Sequence, residues 1–103
     1  MFAQEQPGLK LDFPDKQQGL RELEDRTWFF EANGTVTNIS QTSLKVPVIL
    51  VVLRDSSGKV VYTGEIAPPK RVLNPGEVMQ ISQALVPVPR NATNAQYGWK
   101  PGR

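Results

Sequence analysis

The chain has 103 residues, 39% of them hydrophobic and 21% charged, with no cysteine, no histidine and a formal net charge of +2. That length holds one domain at most, with a modest core, and the composition belongs to a globular chain. The missing cysteines exclude disulfides and thiolate metal sites, and so small a net charge gives no reason to expect a nucleic-acid partner.

The charge is unevenly spread. Residues 1–31 carry four basic and seven acidic side chains, and the remainder carries eight and three. Solvated faces of two signs account for this, and attraction within the fold or between copies is the alternative. No apolar run approaches the 18 or so residues of a membrane span. The opening MFAQEQPG has neither the basic nor the apolar region of a signal peptide. The expectation is either a cytoplasmic chain or a piece of a longer one.

In chain order, residues 1–8 are polar and read as a flexible N-terminal segment, with a β-sandwich domain over 9–103. Leu9, Leu11 and Phe13 alternate with Lys10 and Asp12, a short strand stopped by Pro14. Residues 15–19 read as a turn, and GLRELED at 19–25 as a charged edge strand or one helical turn, the strand being preferred. From Thr27 the period is two. Trp28, Phe30, Ala32, Gly34 and Val36 make a core face, and Gly34 marks a bulge or the close approach of another backbone.

A polar loop over 38–43 leads into the longest apolar stretch, KVPVILVVLRDSSGKVVYTGEI at 45–66, which predicts a central β-hairpin. Ile49, Val51 and Leu53 form one face, Val48, Leu50 and Val52 the other, so the strand is apolar on both sides. Asp55 and Gly58 make the turn. Residues 67–71 read as a loop, 72–73 as a short segment, and Asn74-Pro75-Gly76-Glu77 as a turn with Pro at i+1 and Gly at i+2. Met79, Ile81 and Leu85 alternate along another strand, ended by Pro87 and Pro89. A last strand, 95–99, places Tyr97 and Trp99 on one face. The pattern predicts an all-β, immunoglobulin-like antiparallel sandwich of about seven strands, held by packing without a disulfide.

The runs GTVTNIS at 34–40, VPVILVVLRDSSGKVVY at 46–62 and LNPGE at 73–77 carry a likeness. The chain, from about Leu9 to Trp99, resembles a bacterial domain family of unknown function whose members sit C-terminal to a zinc-ribbon and a single membrane span. FxLYD-type envelope domains share the layout less closely. The resemblance implies an immunoglobulin-like sandwich held outside the cytoplasmic membrane, periplasmic or anchored facing the periplasm, and it implies no reaction. The zinc-ribbon cysteines and the span are absent from this chain, so contact with a membrane is expected only through a span it lacks. In the family the central strand alternates apolar with polar or basic residues; here Val48, Leu50 and Val52 occupy the outward positions.

Catalysis has little to work with. Without His or Cys, the commonest general base and the best nucleophile are missing. Ser43/Lys45 and Ser57/Lys59 have the spacing of Ser–Lys pairs, but turn chemistry accounts for them. Glu22 and Glu24 would share a strand face as a carboxylate pair, in the most charged part of the chain. Asp55 with Ser56 and Ser57 offers one carboxylate where calcium takes six to eight oxygens. Asn33, Asn38 and Asn91 each open an Asn-x-Ser/Thr triplet, a pattern common by chance. Lys70, Arg71, Arg90, Lys100 and Arg103 would suit an acidic partner or anionic lipid if they gathered on one face.

The expectation is therefore a non-enzymatic interaction domain with no catalytic residue, cofactor or metal. Val48, Leu50 and Val52 are its candidate face for a protein partner or a second copy. A ligand- or ion-binding envelope module is the alternative, and a carboxylate-dependent hydrolase is a third reading.

Overall fold

A computed structural model describes residues 2–3, 6–14 and 18–101. Among them the regular structure is all β, in the order β1 (Leu9–Asp12), β2 (Gly19–Glu22), β3 (Trp28–Asn38), β4 (Leu44–Lys45), β5 (Ile49–Arg54), β6 (Val60–Ile66), β7 (Val72–Leu73), β8 (Val78–Leu85) and β9 (Asn94–Trp99). These are nine strands where about seven were expected. The extra pair, β4 and β7, forms a two-residue ribbon, too short for any sequence period to register.

Two larger antiparallel sheets enclose the core. In one, β3 is central, with β8 along one edge and β1 and β2 in succession along the other. In the second, β5 lies between β6 and β9. Phe30, Ala32, Val36, Met79, Ile81 and Leu85 from the first pack with Ile49, Val51, Leu53, Ile66 and Trp99 from the second. This is the packing of a β-sandwich, and the alternation read from the sequence supplies it directly. Full burial of an Ile or Leu here stabilises the fold by roughly 1.5–3 kcal/mol.

The first edge is less regular. β1 leaves β3 after Asp12 pairs with Thr35, and β2 returns where Gly19 pairs with Glu31. In the gap Phe13 turns inward and stacks on Tyr97 of the opposite sheet, ring centroids 4.1 Å apart. Gly34 makes room for it: a Cβ there would lie 2.5 Å from the Asp12 carbonyl oxygen and 2.6 Å from the Phe13 ring. The close approach expected at Gly34 is thus by the chain that leaves the edge.

The side chain of Gln18 fills the vacated place. Its amide nitrogen donates to the Asn33 carbonyl at 2.6 Å, while its carbonyl accepts the Asn33 N–H at 3.1 Å, as a paired strand residue would. It also donates to Pro14 O and accepts from the Tyr97 hydroxyl. The turn expected at 15–19 lies mostly outside the described residues.

The stretch read as edge strand or helical turn is strand β2 followed by a tight connection to β3. Leu23 N–H donates to Thr27 O, and Arg26 takes φ 69°. Asp25 accepts the Thr27 N–H, and the hydrogen bonds from Thr27 hold its carboxyl below the usual pKa. Both predicted glycine turns form, with φ 86° at Gly58 and 79° at Gly76. Asp55 Oδ1 accepts from Lys59 N–H, Ser57 N–H and the Ser57 hydroxyl, which lowers its pKa. The Lys70 ammonium and the Asn74 N–H do the same for Glu77.

Asn38 ties the end of β3 to the loop that follows it and to β7. Its side chain is fully buried. The amide donates to Thr42 O and Leu73 O at 2.9 and 2.8 Å, and its oxygen accepts from the Ser40 N–H and hydroxyl, each at 2.8 Å.

The described N-terminal residues make contacts with the sheets. Within the stretch read as flexible, Ala3 N–H donates to Trp99 O, and the Phe2 ring lies against Gly98. Gly8 lies beneath Leu44 and accepts the Ile39 N–H. The described part of this segment is folded onto β9 and β3.

Candidate functional site

Of the three residues singled out in the sequence, Leu50 and Val52 lie on the outer face of β5 and Val48 on the crossing that precedes it, and the structure separates them. Val52 has no exposed surface. Its cross-strand neighbours are Thr63 and Gln96, and Arg54 Nε donates to Gln96 Oε1 at 2.9 Å along the same face. The aliphatic stems of long polar side chains cover apolar surface in this way. Val52 is therefore withdrawn as a contact residue.

Leu50 and Val48 remain half-buried. Leu50 lies opposite Gly98, so the Phe2 ring over Gly98 sits on the face that Leu50 presents. Lys100 Nζ meets Glu65 Oε2 at 3.1 Å, an ion pair between β6 and the residue that follows β9. Val48 precedes β5 and belongs to the crossing from β4, where its carbonyl accepts the Lys100 N–H.

That crossing forms the floor of a groove of ≈ 470 Å³. Residues 45–48 run along the bottom, with Ala67, Pro68 and Arg71 on one side and Lys100 and Pro101 on the other. Val46 N–H donates to Arg71 O at 2.8 Å, and Lys100 N–H to Val48 O at 2.9 Å, so backbone bonds fix both walls to the floor. Three prolines stiffen the lining and withhold N–H groups. The charge is one-sided: Lys45, Arg71 and Lys100 line the groove, and no acidic residue does. Lys100 is held by Glu65, while Lys45 and Arg71 form no ion pair among the described residues. The groove combines apolar walls with two uncompensated cations.

Only part of the expected basic patch is here. Arg71 and Lys100 meet at the groove with Lys45, but Lys70 pairs with Glu77. Arg90 lies on the connection between β8 and β9, and Arg103 is outside the described residues. Sequence reasoning missed Lys45 as a member, because its place depends on the β4–β7 ribbon.

The other candidates disperse. Glu22 ends β2 and Glu24 lies in the turn beyond it, both exposed, so they do not share a strand face. The Ser43 hydroxyl donates to Asn74 Oδ1 and the Ser57 hydroxyl to Asp55 Oδ1 rather than facing a lysine as a base. Asp55 spends one carboxylate oxygen within its own turn, and among the described residues no three acidic side chains converge as metal ligands would. Asn38 is enclosed, with both amide protons donated, and Asn33 accepts the Ser82 hydroxyl. Asn91 is the exposed member of the three triplets.

Comparison with protein-family models, with curated proteins and with solved structures found no match.

Proposed function

We propose that the protein is a non-enzymatic interaction domain that holds an acidic, extended segment of a protein partner in the groove over residues 45–48. The observation that carries this reading is the groove itself: apolar and proline-rich walls with Lys45 and Arg71 uncompensated. An extended segment suits such a site, because its side chains alternate between apolar wall and solvent while its carboxylates meet the cations. Val48 lines the groove, so one of the three residues expected to meet a partner belongs to it. The resemblance to envelope domains supports a place in a bacterial cell envelope.

The test is a titration of the isotopically labelled protein with an acidic peptide of alternating Glu and Val, followed by NMR. The expected result is a set of shifts confined to 45–48, 67–71 and 100–101. The double variant Lys45→Glu/Arg71→Glu should weaken the affinity at least about tenfold. Shifts elsewhere, or affinity that the double variant leaves unchanged, would overturn the reading.

A further inference from the structure

We propose that the free edge of β8 joins β8 of a second copy, making one continuous antiparallel sheet across a two-fold axis. The inference is independent of the groove and rests on which backbone groups face outward.

Asn38 directs both its N–H and its C=O toward the chain that enters β8, donating to Glu77 O and accepting from Gly76 N–H. Asn33 directs its own toward Gln18 on the opposite edge. Even-numbered residues of β3 therefore bond β8, and their register partners Met79, Ile81, Gln83 and Leu85 bond back. By alternation, Val78, Gln80, Ser82 and Ala84 point their N–H and C=O groups away from the sheet. Among the described residues no backbone group accepts or donates to them.

An open edge of this length invites pairing, and folded proteins blunt such edges with charge, proline, bulges or a covering segment. β8 has none of these. Its pairing with β3 runs without a register shift, and residues 78–89 include no charged side chain. The prolines come only at 87 and 89. Both edges of the second sheet are treated differently. β6 carries Glu65 and faces β5 across a register irregularity, and Ala3 binds the outer side of β9.

The occupant follows from self-complementarity. A strand that pairs antiparallel with its own copy sets each side chain opposite one of its own kind or a near neighbour. Any charge would then meet a like charge. A two-fold axis through Ile81 sets Val78 against Ala84 and Gln80 against Ser82, using all four outward residues of each chain for about eight backbone hydrogen bonds. Val78 and Val86, 58% and 49% exposed, lie toward the two ends of this seam.

The test is sedimentation equilibrium over roughly 5 to 500 µM, a range that brackets weak homodimers. The expected wild-type species is a dimer of the 11.5 kDa chain. Ser82→Pro removes an N–H that serves only an added strand, so it should give a folded monomer. Gln80→Lys/Ser82→Lys places lysines opposite lysines and should weaken association at least about tenfold even if the proline variant fails to fold. A wild type that stays monomeric throughout overturns the proposal. So does a dimer that survives the double lysine variant, or one that Lys45→Glu/Arg71→Glu dissolves, since the contact would then lie at the groove.

Discussion

Asn38→Asp exchanges one NH2 for an oxygen at the only polar side chain buried among the described residues. The two donors it removes reach Thr42 O and Leu73 O at 2.9 and 2.8 Å. At neutral pH a carboxylate oxygen would face those two carbonyls without a proton between them. Each stranded acceptor costs about 1–3 kcal/mol, and stronger bonds from the Ser40 N–H and hydroxyl return about 1 kcal/mol. The expected net loss is about 3 kcal/mol, which for a chain of this length lowers Tm by about 10–20 °C. Thermal melts followed by circular dichroism at pH 7 and pH 4 measure it. Burial beside two carbonyls raises the introduced carboxyl's pKa in the folded state above its unfolded value of about 3.9. The folded variant then binds more protons than the unfolded chain, so the deficit is full above the folded pKa and shrinks as pH falls through it. A variant within about 1 kcal/mol of wild type at pH 7, or a deficit equal at both pH values, would refute the argument.

Two further substitutions probe the backbone. Gly34→Ala puts a methyl 2.5 Å from the Asp12 carbonyl oxygen and 2.6 Å from Phe13, and relief requires moving the edge chain. A loss of about 1–3 kcal/mol is expected, as a lower urea midpoint with an unchanged slope. A weaker near-ultraviolet signal from the Phe13–Tyr97 stack should accompany it. Arg26→Gly removes a side chain from a left-handed residue at φ 69°. The gain of roughly 1–2 kcal/mol there is partly offset by a freer unfolded chain, leaving up to about 1 kcal/mol of added stability in the same urea experiment.

The sandwich was legible in the sequence because long strands declare themselves. The alternation from Trp28 to Val36 and from Met79 to Leu85 decides which residues face the core, and Asn-Pro-Gly-Glu and Asp-Ser-Ser-Gly fix two turns through local chemistry. What stayed hidden depends on contacts between residues far apart in the chain. Nothing near Val52 tells that Arg54 and Gln96 will bond beside it. The groove assembles 45–48, 67–71 and 100–101, three pieces with no common motif. The openness of β8 is likewise a property of topology: its residues read as an ordinary half-buried strand, and only the sheet order leaves one side without a neighbour.

The excursion between β1 and β2 bears on how the chain tolerates change. Six residues, 13–18, lie between the partners Asp12–Thr35 and Gly19–Glu31, while β3 contributes only three, 32–34. The surplus of three is odd, and an odd surplus in a continuous strand would turn every following side chain to the opposite face. The sequence carries that reversal: the inward residues are odd-numbered before the gap, Leu9 and Leu11, and even-numbered after it, Leu20. Because the Gln18 amide binds Asn33 through a side chain, the two halves of the edge keep separate registers. A change of register in one half of the edge is then not passed to the other, and the leucines of each half keep their inward places.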